Sequence, residues 1–125
     1  MNNRVFVYGT LRRSLEWHHI LSNSNFLGEA KTKDKYALYA DDIPYVIQNE
    51  AISNIIGEVY EVNESTLSRL DNLEGHPDWY CRKEINVTIE EKEISAWIYF
   101  FPKPSGKLII SGDYLDYQNN FVKGR

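Results

Sequence analysis

One segment of this chain reads as a capped amphipathic helix, and most of what surrounds it reads as strand. Asn63 is a favourable N-cap, Glu64 suits the positive helix start, and Leu67, Leu70 and Leu73 recur at helical spacing. Gly75 is a natural stop ahead of Pro77. Upstream, Val5-Phe6-Val7-Tyr8 is a buried-strand run that ends at Gly9. Phe26 to Tyr39 carries one or two strands, and Pro44 to Ile47 is extended. Ile55 to Val62 is a further strand, in which Gly57 marks a bulge or a close backbone approach. Downstream, Ile85, Val87 and Ile89 alternate as a half-buried strand does. Glu91-Lys92-Glu93 closes a hairpin into Ile94 to Phe101, which is apolar on both faces like a central strand. Leu15 to Leu21 adds a short helix with Ser14 as its N-cap. The pattern predicts an α+β fold with more strand than helix, a largely antiparallel sheet, and a curved or closed sheet.

At 125 residues the chain is the size of one domain, expected to span residues 1–125, and is long enough for one real core. Nine Tyr, five Phe and three Trp within 42% hydrophobic content exclude a disordered chain. Cys81 is the single cysteine, so an internal disulfide is impossible. A net charge of −4 argues against a nonspecific nucleic-acid binder. The Lys31, Lys33, Lys35 alternation is best read as a solvated strand face, and Glu90 to Glu93 as an exposed turn. No signal peptide or membrane-spanning stretch is visible, so a cytoplasmic protein without membrane association is expected.

Glu74 is where local rules conflict. It lies four residues after Leu70 and seven after Leu67, which puts a carboxylate on the helix's apolar face. It also sits in the last turn, where the helix's partial negative charge disfavours it by about 0.3–1 kcal/mol. Such violations gather at functional sites. A desolvated carboxylate has a raised pKa suited to general acid–base work near neutral pH. The plainer alternative is a helix-end Glu that turns to solvent or pairs with Arg82. The second feature is Tyr8-Gly9-Thr10-Leu11, a strand leading into a glycine turn whose exposed amides can hold an anion or oxyanion. It lacks the spacing and lysine of a phosphate-binding loop. Adjacent His18 and His19 cannot clamp one metal from a helix, and no patterned partners make Cys81 a nucleophile.

Val5-Phe6-Val7-Tyr8-Gly9-Thr10-Leu11-Arg12 resembles the opening strand and glycine loop of the γ-glutamylcyclotransferase-like family, which includes γ-glutamylamine cyclotransferases and avirulence-induced proteins. Gly57 to Val62 looks like that family's strand before the catalytic helix, and Leu70-Asp71-Asn72-Leu73-Glu74-Gly75 like the helix end carrying the catalytic Glu. Pro77, Tyr80 and Arg82 fit the segment after it, and Ser111-Gly112-Asp113-Tyr114 resembles a C-terminal element of bacterial members. The ordered matches run from Arg4 to about Asp116; Tyr36 to Ala51 matches little and is expected at the cavity rim.

The resemblance implies a small barrel-like α+β fold around a cavity. It implies cyclisation of a small γ-glutamyl amine or peptide to 5-oxoproline, with no cofactor and with the free amine or amino acid released. Glu74 would be the catalytic base and acid, and Tyr8, Gly9, Thr10, Leu11 and Tyr80 would bind substrate. Tyr45 and Trp97 are further candidates to wall the cavity. No nucleic-acid or membrane partner is expected, and the chain is expected to be a monomer or weak dimer. The alternative is a non-catalytic module that holds a small carboxylate-bearing metabolite in the same cavity.

Overall fold

The computed structural model describes residues 3–12, 15 and 18–117. Its strands are β1 (Asn3–Val7), β2 (Asn25–Thr32), β3 (Ala37–Ala40), β4 (Pro44–Ile47), β5 (Ile56–Val62), β6 (Cys81–Ile89), β7 (Lys92–Phe100) and β8 (Lys107–Leu108). Helix α1 spans Glu64–Glu74. Five strands close a barrel in the order β1-β5-β2-β6-β7, and β4-β3-β8 form a separate three-stranded sheet. Every barrel pairing is antiparallel except β1 with β7, where Val5 meets Trp97 in parallel. The expected α+β architecture with a closed, largely antiparallel sheet is therefore present.

From Val5 onward strand β1 is apolar, because both of its faces are covered there. Phe6 and Tyr8 join one core cluster with Val59, Val87 and Ile98. Val5 and Val7 join a second with Leu67, Leu70 and Tyr99. Helix α1 closes this second layer through Leu67 and Leu70, each a buried leucine worth roughly 1.5–3 kcal/mol of transfer free energy. Strand β7 divides its side chains the same way: Ile98 and Phe100 lie in the first cluster, Trp97 and Tyr99 in the second. It pairs with β6 on one side and β1 on the other, as a central strand should.

Local signals explain the ends of α1. Asn63 caps it through Oδ1, which accepts from the Thr66 amide at 2.8 Å. Gly75 ends it in the left-handed region with φ 67°, and its N–H bonds back to Asn72. Gly57 marks a close approach, since a Cβ there would lie 2.3 Å from the Val7 carbonyl oxygen. The register shift in this pairing lies on β2, between Phe26 and Gly28.

Three expectations need correction. The stretch before β2 is a 3₁₀ turn at His18–Leu21, shorter than the helix expected from Leu15; the Ser14 cap lies outside the described residues. The β6–β7 hairpin turns on Glu90 and Glu91, both with positive φ, so Lys92 and Glu93 already belong to β7. Leu73 is 38% exposed rather than part of the buried stripe, because the last turn of α1 overhangs a cavity. Lys31, Lys33 and Lys35 are exposed, and Lys33 pairs with Glu93 at 3.0 Å. Among the described residues no helix is long and apolar enough to cross a membrane.

Candidate active site

The cavity lies where the C-terminal end of β1, the C-terminal end of α1 and the start of β4 converge. It measures about 320 Å³, at the small end of ligand pockets. The turn Gly9 to Leu11 forms one wall and Glu74 another, with Tyr8, Tyr80 and Tyr99 between them. All six residues expected at the site thus line one cavity. Ile43 and Pro44 complete the rim, so part of the weakly matching stretch lies there.

The turn is held from within: the Arg12 amide donates to the Gly9 carbonyl at 2.9 Å, and His18 Nδ1 donates to the Leu11 carbonyl at 3.0 Å. Among the described residues the amides of Gly9, Thr10 and Leu11 donate to no protein acceptor, which leaves three donors beside the cavity. Gly9 has to be small, because a Cβ there would meet Pro44 Cγ at 2.3 Å.

Glu74 is half-buried, and burial pushes its carboxyl up to about 7. It does not pair with Arg82. That guanidinium binds Asp71 through Nε at 2.8 Å and lies 4.3 Å over the Trp97 ring. The nearby phenols also face elsewhere. Tyr8 donates its hydroxyl to the Tyr99 carbonyl at 2.7 Å, Tyr80 to the Pro44 carbonyl at 2.8 Å, and Tyr99 to Asp71 at 2.7 Å. Burial first, with neighbouring charge that includes Glu74, holds all three phenols above the ordinary tyrosine range. Such groups stay neutral and rigid while the carboxylate among them keeps its desolvation cost.

Tyr45 and Trp97 do not line the cavity. Tyr45 stacks behind Tyr80 with ring centroids 6.1 Å apart, and Trp97 carries Arg82. Tyr99 and Trp79 take those places in the wall. Tyr99 reads as core in an apolar run, and only the packing of α1 over that face of the barrel brings it to the site. Cys81 is half-buried outside the cavity. Among the described residues no cluster of three His, Cys, Asp or Glu stands ready for a metal.

A small barrel with a carboxylate facing a turn of free amides defines a class of protein that its relatives make explicit. Residues 5–116 match the γ-glutamyl cyclotransferase, AIG2-like family, and the chain belongs to that family. It is 56% identical over 117 residues to a Methanocaldococcus jannaschii protein provisionally named a γ-glutamylcyclotransferase, covering 91% of this chain and 97% of that one. It is 36% identical over 96 residues to γ-glutamylaminecyclotransferase C of Danio rerio, covering 70% of this chain and 63% of the relative. The crystal structure of the Pyrococcus horikoshii protein PH0828 superposes with a TM-score of 0.77 at 30% identity, over 97% of each chain. The family and its named relatives indicate γ-glutamylcyclotransferase-like activity.

Proposed function

We propose that the protein cyclises a small γ-glutamyl amide to 5-oxoproline and releases the amine half. The observation that carries this reading is the pairing of a desolvated Glu74, which among the described residues has no hydrogen-bond partner, with the free amides of Gly9 to Leu11 across one cavity. The substrate's α-ammonium must lose a proton before its nitrogen can attack. Glu74, with a carboxyl titrating at about 7, accepts that proton near neutral pH. The freed amine attacks the γ-carbonyl carbon of the same molecule and a five-membered ring forms. Nucleophile and electrophile are already joined, so the cavity's contribution is to hold the folded conformer. The carbonyl oxygen becomes an oxyanion and takes hydrogen bonds from the turn amides. Collapse breaks the original amide bond as Glu74 returns its proton to the leaving nitrogen, and the ring nitrogen gives up its second proton to the released amine. No water is consumed.

Tyr8 and Tyr80 act as walls, because their hydroxyl protons are committed to backbone carbonyls. The amine half would extend to the mouth over Ile43, Leu73 and Trp79, and Trp79 is 63% exposed there. This disposition favours an apolar stem next to the scissile nitrogen. The test is incubation with a panel of γ-glutamyl amines and γ-glutamyl peptides, assayed for 5-oxoproline. Product from wild type and strongly slowed release from a folded Glu74→Gln variant is expected. Calorimetric binding without product would instead mark a binding module, and an equally active Glu74→Gln would remove the assigned role.

A further inference from the structure

We infer that Arg12 is a positioning residue, held by Asp113 and Glu58 so that the turn amides of Gly9 to Leu11 stay aimed into the cavity. The inference rests on the cyclotransferase reading for what those amides do, and on packing alone for how they are held.

Arg12 follows the turn directly and is 2% exposed, an unusual fate for a guanidinium. Its Nη1 donates to Asp113 Oδ1 at 2.8 Å, and its Nε lies 3.6 Å from Glu58 Oε2. Both carboxylates are themselves anchored. Glu58 sits opposite Val7, the last residue of β1, and its Oε1 accepts from the Tyr60 hydroxyl at 2.9 Å. Asp113 Oδ1 also accepts the Leu115 amide at 3.0 Å. The segment before Asp113 is docked on the barrel, for the Ile56 amide donates to the Gly112 carbonyl at 2.9 Å. A Cβ on Gly112 would lie 2.3 Å from the Asn54 carbonyl oxygen, so that contact is close. The chain of restraint therefore runs from the rigid start of β5 through Gly112 and Asp113 to Arg12, and from Arg12 to the turn whose Gly9 carbonyl its own amide holds.

Stability alone does not call for this arrangement. Buried ion clusters often give way to apolar packing at no loss, because desolvation offsets the attraction between the charges. The distinguishing fact is the place: the cluster ties two segments distant in sequence, at Glu58 and Asp113, to the residue just past the free amides. Donors aimed at a developing charge lose effect steeply when displaced by even about 1 Å.

The test is Asp113→Asn in the full chain, which keeps the shape and the acceptor for Leu115 but removes the charge. Val62→Ala, at the far end of β5, is the control for lost stability without contact with the cluster. On γ-glutamyl-n-butylamide, Asp113→Asn is expected to lose roughly 10- to 100-fold in kcat with KM within about twofold. The pH midpoint set by Glu74 should not move, and Val62→Ala should keep its kcat. A loss in Asp113→Asn no larger than that of Val62→Ala would overturn the inference. If wild type turns over no γ-glutamyl amide, the cyclotransferase reading fails by itself. The positioning role is then decided by the amide resonances of Gly9, Thr10 and Leu11, which must shift in Asp113→Asn and not in Val62→Ala.

Discussion

The last turn of α1 carries two carboxylates three residues apart, and their fates are opposite. Asp71 is met by Arg82 and by the Tyr99 hydroxyl, at 2.8 and 2.7 Å. Burial pushes its carboxyl up, but those two bonds together with the charges of Arg82 and His76 outweigh burial and leave it below the ordinary range. Glu74, three residues on, receives no such bond among the described residues and is pushed up to about 7 by burial. The helix end is shared; Glu74 lies deeper, and it lacks the hydrogen bonds that Asp71 receives. A carboxylate with partners becomes a strut, and one without them becomes a reagent. The strut also serves the reagent, because Asp71 occupies the Tyr99 hydroxyl, which lines the same cavity as Glu74.

Breaking the reagent side should have the largest effect. Glu74→Gln is expected to lower kcat by about 10²- to 10⁴-fold, the usual contribution of a general base, as measured by 5-oxoproline release. The same variant should gain stability. Wild-type Glu74 is protonated in both states below about 4.5 and carries no cost there. Between about 4.5 and about 7 the unfolded chain ionises first, and above about 7 the folded state bears the whole cost. Chemical unfolding should therefore find Glu74→Gln more stable than wild type by roughly 2–3 kcal/mol at pH 8, and equal to it at pH 4.

Breaking the strut should act more gently and with the opposite sign. Asp71→Asn is expected to cost roughly 1–2 kcal/mol at pH 7, since both partners of the pair retain some exposure. That cost should shrink as acid protonates wild-type Asp71, whose contribution is present above the ordinary carboxylate pKa and lost below it. The freed Tyr99 hydroxyl should pull the Glu74 midpoint in the rate profile below its wild-type value.

The smallest effect concerns the mouth. Trp79→Ala is expected to raise KM for γ-glutamyl amides of apolar amines by about 3- to 10-fold, at the scale of one lost apolar contact, with kcat unchanged in steady-state kinetics.

How much of this was legible in the sequence follows from how local each signal was. The cap at Asn63, the stop at Gly75 and the place of Glu74 relative to Leu67 and Leu70 depend on spacing within one helix, and all three stand in the structure. Leu73 obeys the same spacing yet is partly exposed, because periodicity does not report that the helix end overhangs a cavity. The hairpin was placed a residue late because its turn needs positive φ at Glu90 and Glu91, which neither residue advertises. Aromatic content was the least instructive signal. It offered Tyr45 and Trp97 for the cavity wall, while Tyr99 stands there because it lies on the face of β7 that α1 covers. The partner of Arg82 was equally hidden: Asp71 and Glu74 are both within reach in sequence, and packing alone chose Asp71.

The state of Glu74 as a desolvated carboxylate poised near neutral pH can be read directly. Its side-chain carboxyl carbon can be followed by NMR in the selectively ¹³C-labelled wild-type protein, with Glu74→Gln assigning the resonance. A titration midpoint close to 7 is the expected result. A midpoint near 4.5, the ordinary value for a solvated glutamate, would contradict the account.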